Sequence, residues 1–208
     1  MLVLSAILGD ASAIGLYTFA VSLAELTFFV PDSVSTVFYP RVASMERHTA
    51  DALAPQVARF TVLITALSVL LLIPAAFVAV IVILPDYWGS IGPFLVIMPG
   101  IVALSISKVL AGYIGGLGLP LSVAGASTAN LVINLVANLV LIPPFGIVGA
   151  AMASLISYTA HAALLVNVAA RLSRRRALDY VVPTGAEVTR LREGLGDAWR
   201  RVRRARPV

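Results

Sequence analysis

The sequence predicts an all-α membrane protein, a polytopic bundle of five complete transmembrane helices preceded by a partial N-terminal helix. Hydrophobic residues make up 60% of the 208 residues and charged residues only 12%, whereas soluble domains carry about 25% charged residues. The mean hydropathy is +0.98. Apolar stretches close to the roughly 20 residues that cross a bilayer as a helix alternate with shorter polar segments.

The first part of the chain contains one partial and one complete span. Residues 1–8 are apolar but only about 12 Å long as a helix. We interpret them as the last part of a helix that is followed by a loop at residues 9–12, and a short re-entrant or frayed terminus is the alternative. The first complete span is predicted at residues 13–40, with a kink near Pro31, because proline removes a backbone hydrogen bond. The polar residues 41–58 are predicted to form a loop.

Four further spans are predicted, at residues 59–84, 91–115, 119–142 and 146–170. Pro74 is expected to kink the second span. Residues 85–89 contain two aromatic residues and predict a loop at a membrane–water interface. Residues 143–146, Pro-Pro-Phe-Gly, are too few for anything but a tight reversal, so residues 119–170 predict a membrane hairpin. The small residues that open the fifth span predict close helix packing.

The distribution of arginine predicts the orientation of the bundle. Residues 171–208 hold eleven Arg and four acidic residues. Arg41 and Arg47 lie in the predicted 41–58 loop, and Arg59 bounds it. Segments rich in Lys and Arg stay on the cytoplasmic side. Four spans separate the two basic segments, which puts both on one side, so both are predicted to be cytoplasmic.

The region after the last span is predicted to form a separate tail. We divide the chain into a membrane bundle, residues 1–172, and a basic cytoplasmic tail, residues 173–208. Thr184 and Glu187 have the spacing of a capping box. Apolar residues of one helical stripe follow, namely Val188, Leu191, Leu195, Trp199 and Val202. Two interpretations stay open: an amphipathic helix on an anionic leaflet, or a disordered basic segment. A tail that directly follows a membrane span is a poor fit to nucleic-acid binding.

Polar and charged residues inside the spans are the candidate functional residues: Glu25, Asp32, Lys108, Asn130, Asn134 and Asn138. Ionisable groups in a membrane normally face a bundle interior or a hydrated cavity. The three charged residues are therefore candidates for lining a cavity or for coupling, and a structural ion pair or a snorkelled side chain is the alternative. The asparagines recur every four residues. They form one stripe that either joins helices by hydrogen bonds or faces a cavity for a sugar-like substrate.

Signatures of an enzyme are absent from the sequence. His48 and His161 are isolated and lack metal-ligand spacing. No phosphate-binding loop or nucleophile elbow occurs. Cysteine is absent, which excludes disulfides and thiolate metal sites. We therefore predict no catalytic residue, no cofactor and no metal site.

Two groups of motifs carry a resemblance to a known family. The first comprises GLYTFA at residues 15–20, LAE at residues 23–25 and FYPRVAS at residues 38–44. The second comprises GLG at residues 116–118, Asn130, Asn134 and LIPPFGIVGAA at residues 141–151. Over roughly residues 1–172 the chain resembles bacterial polysaccharide flippases of the multidrug/oligosaccharidyl-lipid/polysaccharide exporter superfamily. It corresponds to the second of the two lobes of such a protein.

The resemblance implies that the chain helps to translocate a lipid-linked oligosaccharide or polysaccharide precursor across the plasma membrane. Two lobes would rock to expose a hydrated cavity alternately to each side. Lys108 would meet a pyrophosphate or an acidic sugar, and Glu25 would take part in ion coupling. The implied partners are membrane lipid, the lipid-linked glycan, and a missing N-terminal lobe or second chain.

Two other functions stay open. One is a cation-coupled multidrug exporter of the same superfamily. The other is a non-transporting membrane subunit or gene remnant that anchors partners through its Arg-rich tail.

Overall fold

The protein is a helical bundle, seen in a computed structural model that describes residues 7, 9–185, 187 and 189. Within these residues there is no β-strand. The elements in chain order are α1 (Ala11–Glu25), a 3₁₀ turn (Leu26–Phe28), α2 (Phe29–Ser44), α3 (Arg47–Val82), a 3₁₀ segment (Pro85–Ser90), α4 (Ile91–Gly116), α5 (Pro120–Ser173) and the short α6 (Leu178–Val181).

In the described part of the chain, four helical stretches are long and apolar enough to cross a membrane: Ala11–Ser44, Arg47–Val82, Pro85–Gly116 and Pro120–Ser173. The predicted class, an α-helical membrane bundle, agrees with these stretches. Most of the predicted partial helix at residues 1–8 lies outside the described residues. The loop predicted at residues 9–12 is shorter, because the Asp10 carboxylate accepts a hydrogen bond from the Ser12 amide at 2.9 Å and caps α1 there.

The first apolar stretch is interrupted by the 3₁₀ turn at Leu26–Phe28, just before Pro31. Pro31 has no N–H to donate to the carbonyl of Thr27, four residues earlier, and its ring crowds that carbonyl. The Thr27 hydroxyl is buried and donates to the Ala24 carbonyl at 2.7 Å. The interruption that the sequence placed near Pro31 therefore falls in the turn before it.

The loop predicted at residues 41–58 is wrong. Helix α2 continues to Ser44 and α3 begins at Arg47, so two residues separate them. Ala50, Ala54 and Ala58 recur every four residues on α3, and all three are fully buried in the largest apolar core of the bundle. At 36 residues, α3 is about 54 Å long and exceeds the roughly 30 Å core of a bilayer.

Helix α4 lies at the centre of the bundle and matches the predicted span at residues 91–115 to within one residue. It packs mainly on α5, with α2 and α3 on its other sides. Glycine allows α2 to approach closely, because a Cβ on Gly116 would lie 2.8 Å from the Cβ of Val42. The Ser35 hydroxyl of α2 also donates to the Lys108 carbonyl of α4 at 2.9 Å.

Helix α5 is broken at one residue, Gly146, which has φ 56° and ψ −134°. Asn134 Nδ2, before the break, donates to Ser157 Oγ, after it, at 3.0 Å. These residues are 23 positions apart, which a straight helix would separate by about 35 Å. The two arms of α5, residues 120–145 and 147–173, therefore fold back on each other, and helical structure extends into the segment predicted as a four-residue reversal.

The start of α3, the end of α4 and the end of α5 meet at one end of the bundle. There the Tyr113 hydroxyl donates to the Asp51 carboxylate. An Arg47 guanidinium nitrogen lies 3.4 Å from the Leu172 carbonyl. We call this the basic end, because it also carries exposed arginines: Arg41, Arg47, Arg171, Arg174, Arg175 and Arg176.

Candidate functional site

Lys108 and Asp32 form an ion pair between α4 and α2. Lys108 Nζ lies 2.5 Å from Asp32 Oδ1 and 4.0 Å from the centre of the Phe28 ring, a cation–π distance. The Lys108 side chain is 25% exposed and the Asp32 side chain 55% exposed. The pair is therefore held by two helices and an aromatic ring while remaining accessible from outside the bundle.

The pair lies well inside the apolar length of its helices. Lys108 is eight residues from the end of α4, about 12 Å along the axis. Asp32 is twelve residues from the end of α2, about 18 Å along its axis. Both helices end at the basic end. If they cross a bilayer, the ion pair sits at the depth of the hydrocarbon, where an unpaired charge is expensive.

Glu25, the third charged candidate, is exposed at the last residue of α1. It makes no ion pair with the part of the chain that the structure describes. It interacts electrostatically with the phenol of Tyr158 on the second arm of α5. Glu25 and Asp32 thus lie at the surface of this bundle, and the expected interior position would require a partner that covers that surface.

The three asparagines of the predicted stripe lie on the first arm of α5 and are half-buried. Asn134 makes the bond to Ser157 across the hairpin. Asn138 Nδ2 donates to the backbone and side-chain oxygens of Asn134 at 2.8 and 2.9 Å. Asn130 Oδ1 is buried and has no hydrogen-bond partner among the described residues. The stripe therefore faces the second arm of the hairpin, with one direct bond across it.

The polar contacts continue from the hairpin to α1 through residues that the sequence analysis did not single out. The Ser157 hydroxyl donates to the Ser154 carbonyl at 3.1 Å. The Ser154 hydroxyl lies 3.2 Å from the Tyr17 hydroxyl, which also reaches the Ala150 carbonyl at 3.4 Å. The sequence analysis included Ser154 only among the small packing residues that open the fifth span and did not consider Ser157. Their three-residue spacing, which places both on one helix face, is a signal that could have found them.

A second charged cluster lies at the basic end. Arg59 Nη2 and Nε contact Glu187 Oε1 at 2.7 and 3.1 Å, and Nη1 donates to the Asp179 carbonyl at 2.5 Å. Glu187 Oε2 accepts from the amide of Thr184 at 2.8 Å and from its hydroxyl. Burial would raise the pKa of Glu187, but the hydrogen bonds from Thr184 and Arg59 lower it to about 2. This cluster ties the chain after α5 to α3.

The hydrogen bond from the Thr184 backbone amide to the Glu187 carboxylate is the one that the predicted capping box requires. All five residues of the predicted apolar stripe, from Val188 to Val202, lie outside the described residues. The described residues contain no group of three His, Asp or Glu side chains that could hold a metal ion.

Comparison with known proteins gives no match: no family model, no curated protein and no solved structure resembles the chain. The likeness to polysaccharide flippases therefore depends on the sequence motifs alone. The family stays a prediction.

Proposed function

We propose that this chain is one lobe of a membrane transporter that moves a lipid-linked oligosaccharide or polysaccharide precursor across the plasma membrane. The observation that carries the proposal is the Lys108–Asp32 ion pair, partly exposed on the side of the bundle and deep within two apolar helices. Charges in membrane segments commonly mark substrate or ion pathways.

The geometry suggests how the pair would work. Without substrate, Asp32 neutralises Lys108 and avoids an unpaired cation in an apolar environment. A pyrophosphate that enters between this bundle and a second lobe would replace the Asp32 carboxylate as the anion beside the ammonium group, which binds phosphate as a point charge. The Phe28 ring, whose centre lies 4.0 Å from the ammonium nitrogen, limits where that group can move.

The same proposal includes five membrane crossings. The two arms of α5 comprise residues 120–145 and 147–173, and each exceeds the roughly 20 residues that one crossing needs. Their antiparallel arrangement supports two crossings from this one helix. With the basic end cytoplasmic, as the positive-inside rule favours, the 3₁₀ segment at Pro85–Ser90 and the Gly146 break lie on the opposite side.

A second candidate is the cation-coupled multidrug exporter. It is favoured by Glu25, an exposed carboxylate in an apolar stretch that makes no ion pair within the described part of the chain. Such a group could bind a proton or a cationic drug. The two candidates assign different residues to the substrate, Lys108 for an anionic glycolipid and Glu25 for a cation.

The test is deletion of the gene followed by complementation in its own host. We expect lipid-linked glycan to accumulate on the inner leaflet of the deletion strain, and the wild-type gene to reverse this. Lys108→Ala should fail to complement and Lys108→Arg should complement in part. Arg41→Ala, which removes an exposed cation at the basic end, is the matched control and should complement fully.

Either of two results would reject the glycan assignment. Lys108→Ala could complement as well as wild type, or the deletion strain could show no glycan accumulation. If the deletion strain instead retains cationic dyes, and Glu25→Gln reproduces that defect, the drug exporter is the better assignment.

A further inference from the structure

We propose that the turn after α5, residues 174–182, is a docking site for the headgroups of anionic phospholipids. The inference is independent of what the chain transports. It depends on three features of the described residues: exposed arginines without acidic partners, a strained backbone position occupied by one of them, and an apolar edge beside them.

The first feature is unbalanced positive charge. Arg171, Arg174, Arg175 and Arg176 are exposed, and none of them forms an ion pair with the part of the chain that the structure describes. The acids nearby are engaged with other groups, and Asp179, within the turn, accepts a hydrogen bond from the Arg176 backbone amide at 3.1 Å. Asp51 contacts Tyr113 and Arg47, and Glu187 contacts Arg59. The turn thus holds three exposed arginines, residues 174–176, against one acid, Asp179, so most of its positive charge is not neutralised by the protein.

The second feature is the backbone of Arg174, the one non-glycine residue with positive φ in the described part of the chain, at φ 55° and ψ 34°. It ends α5 with its amide bonded to the Ala170 carbonyl. Glycine or asparagine would occupy this left-handed position at lower cost. Strained residues of this kind concentrate where function requires the side chain, which is consistent with a need for positive charge at this position.

The third feature is the apolar edge next to the arginines. Leu178, Val181 and Val182 are exposed at 67, 40 and 54%. Tyr180, on the same turn, is fully buried and its hydroxyl lies 2.8 Å from Ser173 Oγ. The turn thus anchors itself by Tyr180 and presents three aliphatic side chains outward beside three consecutive arginines.

Charge and hydrophobicity together identify the partner as lipid. An acidic protein or a soluble phosphate would satisfy the arginines but leave the aliphatic edge in water. At a bilayer surface the guanidinium groups reach headgroup phosphates while the aliphatic side chains enter the acyl boundary. The position fits as well, because the turn follows directly on a helix long and apolar enough to span a membrane.

The experiment compares binding of phosphatidylglycerol and phosphatidylcholine to the full-length protein in detergent by native mass spectrometry. We expect preferential binding of phosphatidylglycerol. In the triple variant Arg174→Gln/Arg175→Gln/Arg176→Gln, the ratio of phosphatidylglycerol binding to phosphatidylcholine binding should fall, on the order of fivefold for each arginine removed. The matched control, Arg200→Gln/Arg201→Gln/Arg203→Gln, removes the same charge from the tail and should lose less. Equal losses in the two variants would indicate unspecific attraction and overturn the proposal.

Two further variants separate charge from backbone strain and from the apolar edge. Arg174→Gly relieves the left-handed conformation, so it should raise the melting temperature while lowering phosphatidylglycerol binding. Leu178→Ser/Val182→Ser should weaken binding of both lipids, because it removes the contact with acyl chains that they share. No preference for phosphatidylglycerol in the wild-type protein, or unchanged lipid binding in Arg174→Gly, would contradict the site.

Discussion

Arg59 and Glu187, 128 residues apart in the chain, form an ion pair that fastens the segment after α5 to α3. Their side chains are only 12 and 7% exposed. With Tyr180 fully buried beside them, this pair makes the first part of the predicted tail a packed part of the bundle.

Removal of one partner of this pair should detach the segment. Glu187→Leu leaves the Arg59 guanidinium nearly buried without its anion, a change that costs about 3 kcal/mol. Arg59→Met/Glu187→Leu together should recover most of the loss. The measurement is hydrogen-exchange protection of amides 175–182. Glu46→Leu removes an exposed carboxylate whose partner His48 is also exposed, and should change protection by less than about 0.5 kcal/mol.

The same contact should respond to acid. The pKa of Glu187 is about 2 in the folded protein against an ordinary value of 4.5. Because the folded value is the lower one, the stabilisation is complete above about pH 4.5 and is lost as the pH falls towards about 2. Protection factors for amides 175–182 should be equal at about pH 7 and about pH 5.5 and decline below that range. Glu187→Gln should show no such decline, and a loss of protection already near neutral pH would contradict the assignment.

Much of the fold could be predicted because lipid imposes a simple length rule on apolar helices. The span at 91–115 was found to within one residue. The error at residues 41–58 has a physical cause: polar composition indicates exposure to water, not the absence of a helix. The signal that was missed is the four-residue recurrence of Ala50, Ala54 and Ala58, which pack the extension of α3 into the core. A helix that is longer than the bilayer core can continue as a helix through polar residues, so polar composition alone does not predict a loop.

The bond between Asn134 and Ser157 should stabilise the α5 hairpin. Asn134→Leu should lower the free energy of unfolding by about 0.6–2 kcal/mol, the range of hydrogen bonds between membrane helices. Ser157→Ala should have a similar effect, and the double variant should add little, because both changes remove the same bond. Equilibrium unfolding in dodecyl sulfate gives these values.

Asn167→Leu is the matched control for the hairpin bond. Asn167 is exposed, and among the described residues its side-chain amide donates only to the Ala163 carbonyl of its own helix, at 2.7 Å. This substitution should therefore be nearly neutral. Equal destabilisation by Asn134→Leu and Asn167→Leu would mean that the contact across the hairpin contributes nothing.

The sequence identified the residues of the candidate site but not which of them contact each other. Lys108 and Asp32 were both identified as charges within spans, yet they are 76 positions apart, and spacing along the chain does not determine which helices become neighbours. The asparagine stripe was found because a four-residue repeat places its members on one helix face. Arg59 and Glu187 were each assigned local roles, at a span edge and in a capping box. They meet because the chain folds back against α3 after the end of α5. No pattern of neighbouring residues in the sequence predicts this folding back.

Gly149 should control how closely the two arms of α5 approach. A Cβ at this position would lie 2.0 Å from the Leu141 carbonyl oxygen and 2.5 Å from its carbon, and a backbone group cannot move aside as a flexible side chain can. Gly149→Ala should therefore spread the arms. Gly125→Ala, on the first arm, meets nothing within 4 Å and should be neutral or stabilising by up to about 1 kcal/mol.

Spin labels can report this separation, since the protein has no native cysteine. Thr128 and Ala163 are both exposed, and they lie equally far from the Asn134–Ser157 contact on opposite arms. Labels at Thr128→Cys and Ala163→Cys should give a short, narrow distance distribution that lengthens in Gly149→Ala and stays unchanged in Gly125→Ala. An unchanged distance distribution in Gly149→Ala would show that the arms tolerate a Cβ at this position. The close approach at Gly149 would then not set the distance between the arms.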